Sequence, residues 1–327
     1  MTVARPLSDI LDEAHSTVHA GVTYSATPWP TGFTPLDREL SGGLRAGELV
    51  IVGGAQGLGK TTFALQLARN VVAAGGSAVY LCYEHDERIL LQKLLAMEAG
   101  YAEPEDGATL TQVSDALQAG GRAGLGLDDR LAHLPGAAAA LSRLRSYGDR
   151  LRLVTGSGRS TGAQEIREII RPLAGSGILV VDYLQKVSTP GPPTAEDERV
   201  TTVVAALKDI AMDFAMPVVA LCAADRDGIG EGRTRLAHMR GSTAIAYEAD
   251  IALMLNDKWH AVARHHLMYA GAGAGRYHDW VVCTVEKNRA GRPGADLEFR
   301  KRFSQSRFDP HGQVVREELI DDRVFRE

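Results

Sequence analysis

The sequence predicts an α/β domain with a mostly parallel central sheet flanked by helices, and three observations support this class. Continuous apolar runs, such as residues 178–181 and 217–222, are typical of strands that are buried on both faces of a sheet. Helical stretches alternate with these runs, as they do in chains built from strand–helix–strand units. The length of 327 residues and the apolar fraction of 45% suffice for a large globular domain and exclude a wholly disordered chain.

The N-terminal residues predict a short amphipathic helix followed by a linker. Apolar side chains, among them Leu7 and Leu11, recur at helical spacing over residues 6–20. Prolines and glycines interrupt residues 21–32, which favours an extended connection. Because so short a helix is not stable alone, we expect it to pack either on its own domain or on a neighbouring subunit.

From residue 48 the strand and helix signals alternate along the chain. A buried strand at 48–53 leads through a glycine-rich turn into a helix over about 60–74. The later predicted elements are a strand at 77–83, a helix at 86–99, a strand at 151–154, a helix through about 172, a strand at 178–182, a helix at 196–214, and strands at 217–222, 251–255, 280–285 and 297–303. The expected segments are a helix and linker at 1–32, one α/β domain at 33–310 with a helical insertion at 101–149, and a charged peripheral tail at 311–327.

Composition and cysteine usage predict a cytoplasmic protein without a membrane segment. No apolar run approaches the roughly 20 residues that a membrane-spanning helix needs. Acidic residues stand where a signal peptide would have its apolar core, which argues against secretion. Cys82, Cys222 and Cys283 lie far apart in apolar stretches, without the spacing of a metal site or a disulfide framework.

The strongest motif is GAQGLGKT at residues 54–61, which fits G-x-x-x-x-G-K-[ST] directly after a strand. Glycines let such a loop wrap closely around phosphate, so that backbone N–H groups and the helix N-terminus face its oxygens. Lys60 adds a positive charge near the β- and γ-phosphates, and the Thr61 hydroxyl can ligate Mg²⁺. The plainer alternative is an ordinary glycine-rich turn. The predicted phosphate-contacting residues are Gly54, Ala55, Gln56, Gly57, Leu58, Gly59, Lys60, Thr61 and Thr62.

Two acidic residues at the ends of predicted strands are candidates to complete this site. Asp182 ends the strand at 178–182, where an acid on the metal side is expected. Glu84 follows the strand at 77–83, at the same carboxyl edge of the sheet, where a glutamate can orient and deprotonate an attacking water. Each residue also has a plainer interpretation as a solvated acid at a strand end, since the loop motif alone does not name the base.

Further segments extend the pattern in a fixed order along the chain. They are TGFTPLD at 31–37, GGL at 42–44, the phosphate loop, Glu84, DYLQ at 182–185, RGSTAIAYEAD at 240–250 and EKNRAG at 286–291. In this order they resemble the C-terminal motor domain of DnaB-type replicative helicases, a RecA-like ATPase domain, over roughly residues 30–310. The helix at 6–20 is similar to the linker helix of that family.

The resemblance implies a hexameric ring that hydrolyses ATP with Mg²⁺ at its subunit interfaces while drawing single-stranded DNA through its centre. By position in the motifs, Lys60 and Thr61 would bind phosphate and Mg²⁺, and Asp182 would lie on the metal side. Glu84 would be the catalytic base.

The resemblance also assigns roles to three basic residues. Lys287 and Arg289 match residues that the family inserts into the neighbouring subunit's site, where an arginine can neutralise charge on the transferred phosphoryl group. Arg240 matches a contact to the DNA backbone. Without the resemblance, all three are interpreted as solvated surface charges.

Two departures from the family pattern bear on function. Only some 30 residues precede the motor segment, whereas DnaB-type helicases begin with a separate helical domain, so we expect a separate replication or repair partner to supply that function. Ala223 stands where the family places a glutamine that links the γ-phosphate to the DNA loops. Because an alanine side chain forms no hydrogen bond, coupling of hydrolysis to DNA is expected to be weakened or rerouted, with Asp225 and Arg226 as candidate substitutes.

Three functions stay open at this point. The leading interpretation is a DnaB-like helicase or single-stranded DNA translocase. The second is a RecA-fold ATPase of KaiC or RadA type that acts as a regulatory or repair switch without unwinding, and the third is a non-catalytic nucleotide-binding assembly module. The net charge of −5 argues mildly against nucleic acid, but residues 276–302 carry seven lysines and arginines against four acids. We therefore expect DNA binding to depend strongly on salt and to appear mainly after assembly.

Overall fold

A mixed sheet lies at the centre of the chain in the computed structural model, which describes residues 4–21, 27–118, 124–191, 195–224 and 233–320. The strands are β1 (Leu49–Gly54), β2 (Ser77–Cys82), β3 (Leu151–Thr155), β4 (Gly177–Asp182), β5 (Val218–Ala223), β6 (Ile251–Asp257), β7 (Trp280–Asn288), β8 (Asp296–Arg302), β9 (Arg307–Phe308) and β10 (Gln313–Val314). The helices are α1 (Leu7–His19), α2 (Thr34–Glu39), α3 (Lys60–Ala73), α4 (Glu87–Ala102), α5 (Leu110–Gln118), α6 (Leu127–Leu131), α7 (Ala137–Tyr147), α8 (Ala163–Ile170), α9 (Glu196–Asp213), α10 (Ser242–Glu248), α11 (Lys258–Ala261) and α12 (Arg264–Ala270). No helix in the described part of the chain is long and apolar enough to cross a lipid bilayer.

Strand β1 occupies the middle of the sheet, between β5 and β6. Leu49 lies opposite Val218 of β5, and Val50 lies opposite Ile251 of β6. The strand order is β3-β2-β4-β5-β1-β6-β7-β8-β10, with β9 paired to β8, and neighbouring strands from β3 to β6 run parallel. The predicted mostly parallel sheet flanked by helices is confirmed.

Antiparallel strands extend the sheet beyond β6. The pairs β6–β7, β7–β8 and β8–β10 are all antiparallel. The connection between β7 and β8 covers only residues 289–295, and a parallel crossover needs a dozen residues or more. The uniform strand–helix alternation of the first part of the chain therefore stops at β6.

Helices cover both faces of the sheet because alternate strand residues point to opposite sides. Val50 and Val52 of β1 share one core with Phe63 of α3 and with α4. Leu49 and Ile51 of the same strand belong to a second core, together with side chains of α8, α9 and α10. All six residues of β1 are buried, as expected for a strand covered on both faces.

The end of the predicted linker packs on the domain. Trp29 forms a β-bridge with Leu44, and the Thr31 backbone N–H and hydroxyl both donate to the Asp37 carboxylate, at 2.7 and 2.6 Å. Packed structure thus begins before residue 33, the expected start of the domain. Residues 22–26 of the same segment lie outside the described residues.

The expected peripheral tail is also partly integrated into the fold. Val314 of β10 lies opposite Leu297 of β8, and the backbone N–H of Ile320 donates to the carbonyl of Ala261 at 2.8 Å. Glu317 reaches the buried Lys258 ammonium, with an N···O distance of 2.8 Å. Residues 311–320 therefore pack on the sheet and on α11 rather than lying loosely at the periphery.

The insertion at 101–149 contains α5, α6 and α7, which share a small apolar core with α4. A buried polar network ties it to the phosphate-loop helix α3. Glu98 of α4 accepts two hydrogen bonds from Arg69 of α3, at 2.6 and 2.7 Å, and one from the Tyr147 hydroxyl of α7 at 2.5 Å. The carboxylate of Glu98 is thus the junction of three helices.

We predict that Tyr147→Phe lowers the free energy of unfolding by about 1.5–3 kcal/mol, the usual worth of a hydrogen bond to a charged group. The measurement is denaturant unfolding of the nucleotide-free protein. Tyr269→Phe, at a tyrosine that is 88% exposed, is the matched control and is expected to change the free energy by less than about 0.5 kcal/mol. Equal stability of Y147F and wild type would show that the network does not hold the insertion.

Candidate active site

The predicted phosphate loop joins the end of β1 to the start of α3. Gly54 and Gly59 have φ values of 145° and 82°, in the region that favours glycine. A Cβ atom at Gly54 would lie 2.5 Å from the Leu255 carbonyl oxygen, and one at Gly59 would lie 2.7 Å from the Phe303 ring. Both positions therefore require glycine, for conformation and for space.

Lys60 is held at the mouth of this loop. Its ammonium donates to the carbonyl oxygens of Gly54 and Ala55, at 2.7 and 2.8 Å. Burial lowers the pKa of Lys60, and the nearby Cys222, Asp182 and Glu84 oppose that shift. A partly buried ammonium at the N-terminus of α3 suits an anionic ligand, because the helix dipole and the backbone N–H groups favour negative charge there.

Asp182 lies at the end of β4, 2% exposed and close to Thr61. Burial raises its pKa, while hydrogen bonds from Tyr80 and Thr61 pull the pKa down. The Tyr80 hydroxyl lies 2.9 Å from Asp182 Oδ2 and 3.2 Å from the Thr61 carbonyl oxygen. The hydroxyl of Thr61 and the carboxylate of Asp182 are thus neighbouring oxygen donors, the ligand type that Mg²⁺ prefers.

A cavity of about 440 Å³ brings most of the predicted site residues together. Glu84 is exposed, stands just after β2 and lines this cavity. The predicted residues in its wall are Gln56, Gly57, Gly59, Lys60, Thr61, Thr62, Glu84 and Asp182. Gly54 and Ala55 take part through the carbonyls that hold Lys60, whereas Leu58 packs against the apolar core.

Lys287 and Arg289 do not line this cavity. They lie at the C-terminal end of β7, next to the end of α10. The Lys287 ammonium donates to the Ala246 carbonyl at 2.6 Å, and Arg289 contacts the Tyr247 carbonyl and, at 3.0 Å, Asp250 Oδ1. Asp250 in turn accepts a hydrogen bond from the backbone N–H of Leu49, the first residue of β1. Arg289 therefore lies beside the start of β1, whereas the phosphate loop follows the end of β1.

Residues 29–119 and 135–309 match the family described as DnaB-like helicase C-terminal domain. The chain belongs to this family. The predicted resemblance is confirmed, and the alternative of a KaiC- or RadA-type switch is not favoured.

Curated relatives of this DnaB-like domain include replicative DNA helicases. The replicative DNA helicase DnaB of Treponema pallidum is 29% identical over 227 residues, covering 69% of this chain and 47% of that protein. The DnaB of Geobacillus stearothermophilus is 29% identical over 239 residues, covering 69% of this chain and 46% of that protein. The chain thus spans about half the length of the curated relatives it matches.

Solved structures share the fold. One, described as an ATPase domain, superposes with a TM-score of 0.72 at 17% identity, covering 94% of this chain and 99% of that chain. A DnaB-like replicative helicase, described with its interactions with primase, gives a TM-score of 0.70 at 18% identity, covering 94% of this chain and 68% of that chain. These likenesses confirm the predicted fold, a mostly parallel sheet flanked by helices.

The cavity of this DnaB-like domain includes residues that sequence reasoning missed. Lys93 of α4 lines the wall, and burial lowers its pKa while Asp182 opposes the shift. Phe303 and Ser306 reach the cavity from the turn after β8, and His85 and Tyr183 flank the two acids. A lysine within a helix and an aromatic residue after β8 carry no local motif, so only the fold could reveal their placement.

Ala223 lines the cavity and is linked to Arg240 through the backbone. The Arg240 N–H donates to the Ala223 carbonyl at 3.4 Å, and the Gln185 side chain contacts the Ala223 backbone at 3.3 and 3.4 Å. Arg240 pairs with Glu196 at 3.3 Å and borders a second cavity of about 360 Å³. Asp225 and Arg226, the candidate substitutes for the absent glutamine, lie outside the described residues.

We predict that Asp182→Asn stabilises the nucleotide-free protein and abolishes Mg²⁺-dependent ATP hydrolysis. Because burial raises the pKa of Asp182 above its ordinary value of 3.8, the ionised carboxylate destabilises the fold at neutral pH. This penalty disappears as the pH falls through the raised pKa towards the unfolded value, so the gain in melting temperature should shrink as the pH is lowered from neutral towards the ordinary value of 3.8.

The control for this variant is Asp149→Asn, at an exposed aspartate. It is expected to change neither the melting temperature nor hydrolysis. A melting temperature of D182N below that of wild type at pH 8 would contradict the assignment of Asp182 as a destabilising buried charge.

Proposed function

We propose that this chain is an ATP-dependent DNA helicase or single-stranded DNA translocase of DnaB-like type that hydrolyses ATP at the interfaces of a homohexameric ring. One observation carries the proposal: Lys60, Thr61, Glu84 and Asp182 line a single cavity, whereas Arg289 lies beyond the opposite end of β1. Family membership and the replicative helicases among its relatives support it.

The residues in the cavity suit ATP and Mg²⁺. Lys60 and the backbone of the phosphate loop would bind the phosphates, and the Thr61 hydroxyl and the Asp182 carboxylate would hold Mg²⁺, which neutralises phosphate charge when bound. Among the described residues of the cavity wall, Glu84 is the one acid that is exposed at the surface of the chain. It would orient the attacking water and accept its proton.

Arg289 is too far from the phosphate loop of its own chain to reach it. It contacts Asp250, the residue just before β6 and beside Leu49, while the loop begins at Gly54. Five residue steps along a strand span roughly 17 Å. Arg289, with Lys287 beside it, would therefore act in the site of a neighbouring subunit, which makes hydrolysis depend on assembly.

Single-stranded DNA is the proposed substrate of the ring, and Arg240 the proposed contact to its backbone. The Arg240 side chain is 46% exposed at the start of α10 and pairs with the equally accessible Glu196. Exposed pairs of this kind contribute little to stability, so a DNA phosphate could replace the glutamate at small cost. The hydrogen bonds that the Arg240 backbone and the Gln185 side chain form with Ala223 would connect this contact to the nucleotide cavity.

Helix α1 fits assembly through a neighbouring subunit. None of its residues is buried, and Leu7, Leu11 and Val18 are 70%, 59% and 63% exposed. Such a stripe on a short helix favours packing on another surface. A separate replication or repair partner, of the kind that primase is for a related helicase, and a cytoplasmic location complete the proposal.

Strand displacement tests this function. We expect the purified chain to hydrolyse ATP faster with single-stranded DNA and to displace the labelled strand of a forked duplex. Lys60→Ala, which removes the phosphate-facing charge, is the control and should do neither. ATP hydrolysis without displacement would favour a switch instead, and a protein that binds but does not hydrolyse ATP would be an assembly module.

We predict that Arg289→Ala leaves ATP-analogue binding by isolated subunits unchanged but lowers hydrolysis in the assembled ring by about 10³-fold or more, the range of arginine fingers. Binding is measured by titration at subunit concentrations that prevent assembly, and hydrolysis by phosphate release above them. Arg264→Ala, at an arginine on α12 outside the cavity wall, serves as the control. Wild-type turnover by R289A would refute the role in trans.

A further inference from the structure

Asp250 joins basic side chains from two elements. Its carboxylate is 11% exposed, and its Oδ2 atom accepts hydrogen bonds from the Leu49 backbone N–H and the Lys208 ammonium, each at 2.7 Å. Its Oδ1 atom lies 3.0 Å from Arg289 Nη1. The backbones are linked as well, because the Arg289 N–H donates to the Asp250 carbonyl at 2.9 Å. Both oxygens of Asp250 are thus engaged, one with the sheet and one with Arg289.

Arg289 is held on one side and exposed on the other. Besides Asp250, its guanidinium contacts the Tyr247 carbonyl near the end of α10, where negative helix-dipole charge favours a cation. The side chain is nevertheless 49% exposed. Two anchors therefore orient the guanidinium while leaving about half of its surface accessible to another molecule.

We propose that Asp250 is a positioning residue that fixes the Arg289 guanidinium for the nucleotide of the neighbouring subunit; this rests on the function proposed above. A free arginine side chain samples many rotamers, and holding it in place beforehand removes that entropic cost from the reaction. The anchor is rigid because Leu49, which donates to the same carboxylate, is the first residue of the central strand.

Asp250→Asn tests the proposal in the full chain. The asparagine oxygen can still accept from Leu49, but the charge that holds Arg289 is lost. We expect kcat of the assembled ring to fall by about 10- to 100-fold, the cost of misplacing a catalytic group by about 1 Å. ATP-analogue binding by isolated subunits and the oligomeric state should not change. Lys208→Gln removes the other cation from the same carboxylate and is the matched control, expected to keep its turnover.

Mixed assemblies separate positioning from structural damage. An Asp250→Asn subunit keeps its own phosphate loop and Glu84, while a Glu84→Gln subunit keeps an intact Arg289. When the two are mixed, Glu84→Gln subunits should supply Arg289 to Asp250→Asn sites, and turnover should exceed the sum of the separate activities. Damage to the site of the Asp250→Asn subunit itself would not be rescued in this way.

The outcomes distinguish this inference from the function on which it rests. Recovery in the Asp250→Asn mixture supports it. Two results overturn the inference and leave the proposed function standing. The first is a full kcat of Asp250→Asn alone. The second is that Asp250→Asn mixed with Glu84→Gln gains no turnover, although Arg289→Ala mixed with Glu84→Gln does. Full turnover by Arg289→Ala alone overturns the proposed function. If Asp250→Asn does not fold, Asp250→Glu, which keeps the charge but shifts it by one methylene, enters the same mixtures with the same criteria.

Discussion

The position of β1 between β5 and β6 is the constraint on which the rest of the structure depends. Parallel pairing on both sides leaves β1 fully buried and carries its last residue, Gly54, to the carboxyl edge of the sheet. The neighbouring parallel strands end at the same edge, so β2 brings Glu84, β4 brings Asp182 and β5 brings Ala223 to one cavity. Ligands of open α/β sheets bind at this edge for the same geometric reason.

The opposite end of β1 organises a second group of charges. Leu49 donates to Asp250, and Asp250 contacts Lys208 and Arg289. The phosphate loop and the guanidinium proposed to act on a neighbour therefore lie at the two ends of one rigid strand. In the proposed ring, the close-packed core around this strand would transmit strain between the two ends, since tightly packed interiors have low compressibility. Helix α10 connects this charged group to the proposed DNA contact, because it begins two residues after Arg240 and carbonyls of its last turn contact Lys287 and Arg289.

The sequence patterns that predicted the fold are those in which residues close together in the chain determine the local structure. Apolar runs identified the parallel strands, and the glycine–lysine spacing identified the loop that Lys60 closes. The antiparallel pairing of β7 and β8 follows from the short loop between them, and a list of predicted strands does not take loop length into account. The packing of residues 311–320 involves Lys258, whose buried ammonium attracts Glu317. Lys93, Phe303 and Ser306 escaped prediction because tertiary structure alone brings them to the cavity.

The charged groups in the cavity are arranged to bind a ligand rather than to pair with each other. Burial lowers the pKa of Lys60 and raises that of Asp182, so each group is less stable in its charged form than it would be in water. A direct ion pair would relieve both shifts, yet the Lys60 ammonium bonds to the Gly54 and Ala55 carbonyls instead. The loop geometry holds the two charges apart, one suited to phosphate and the other to a cation. The fold therefore accepts a local loss of stability in return for a cavity whose charges are complementary to a nucleotide with its metal.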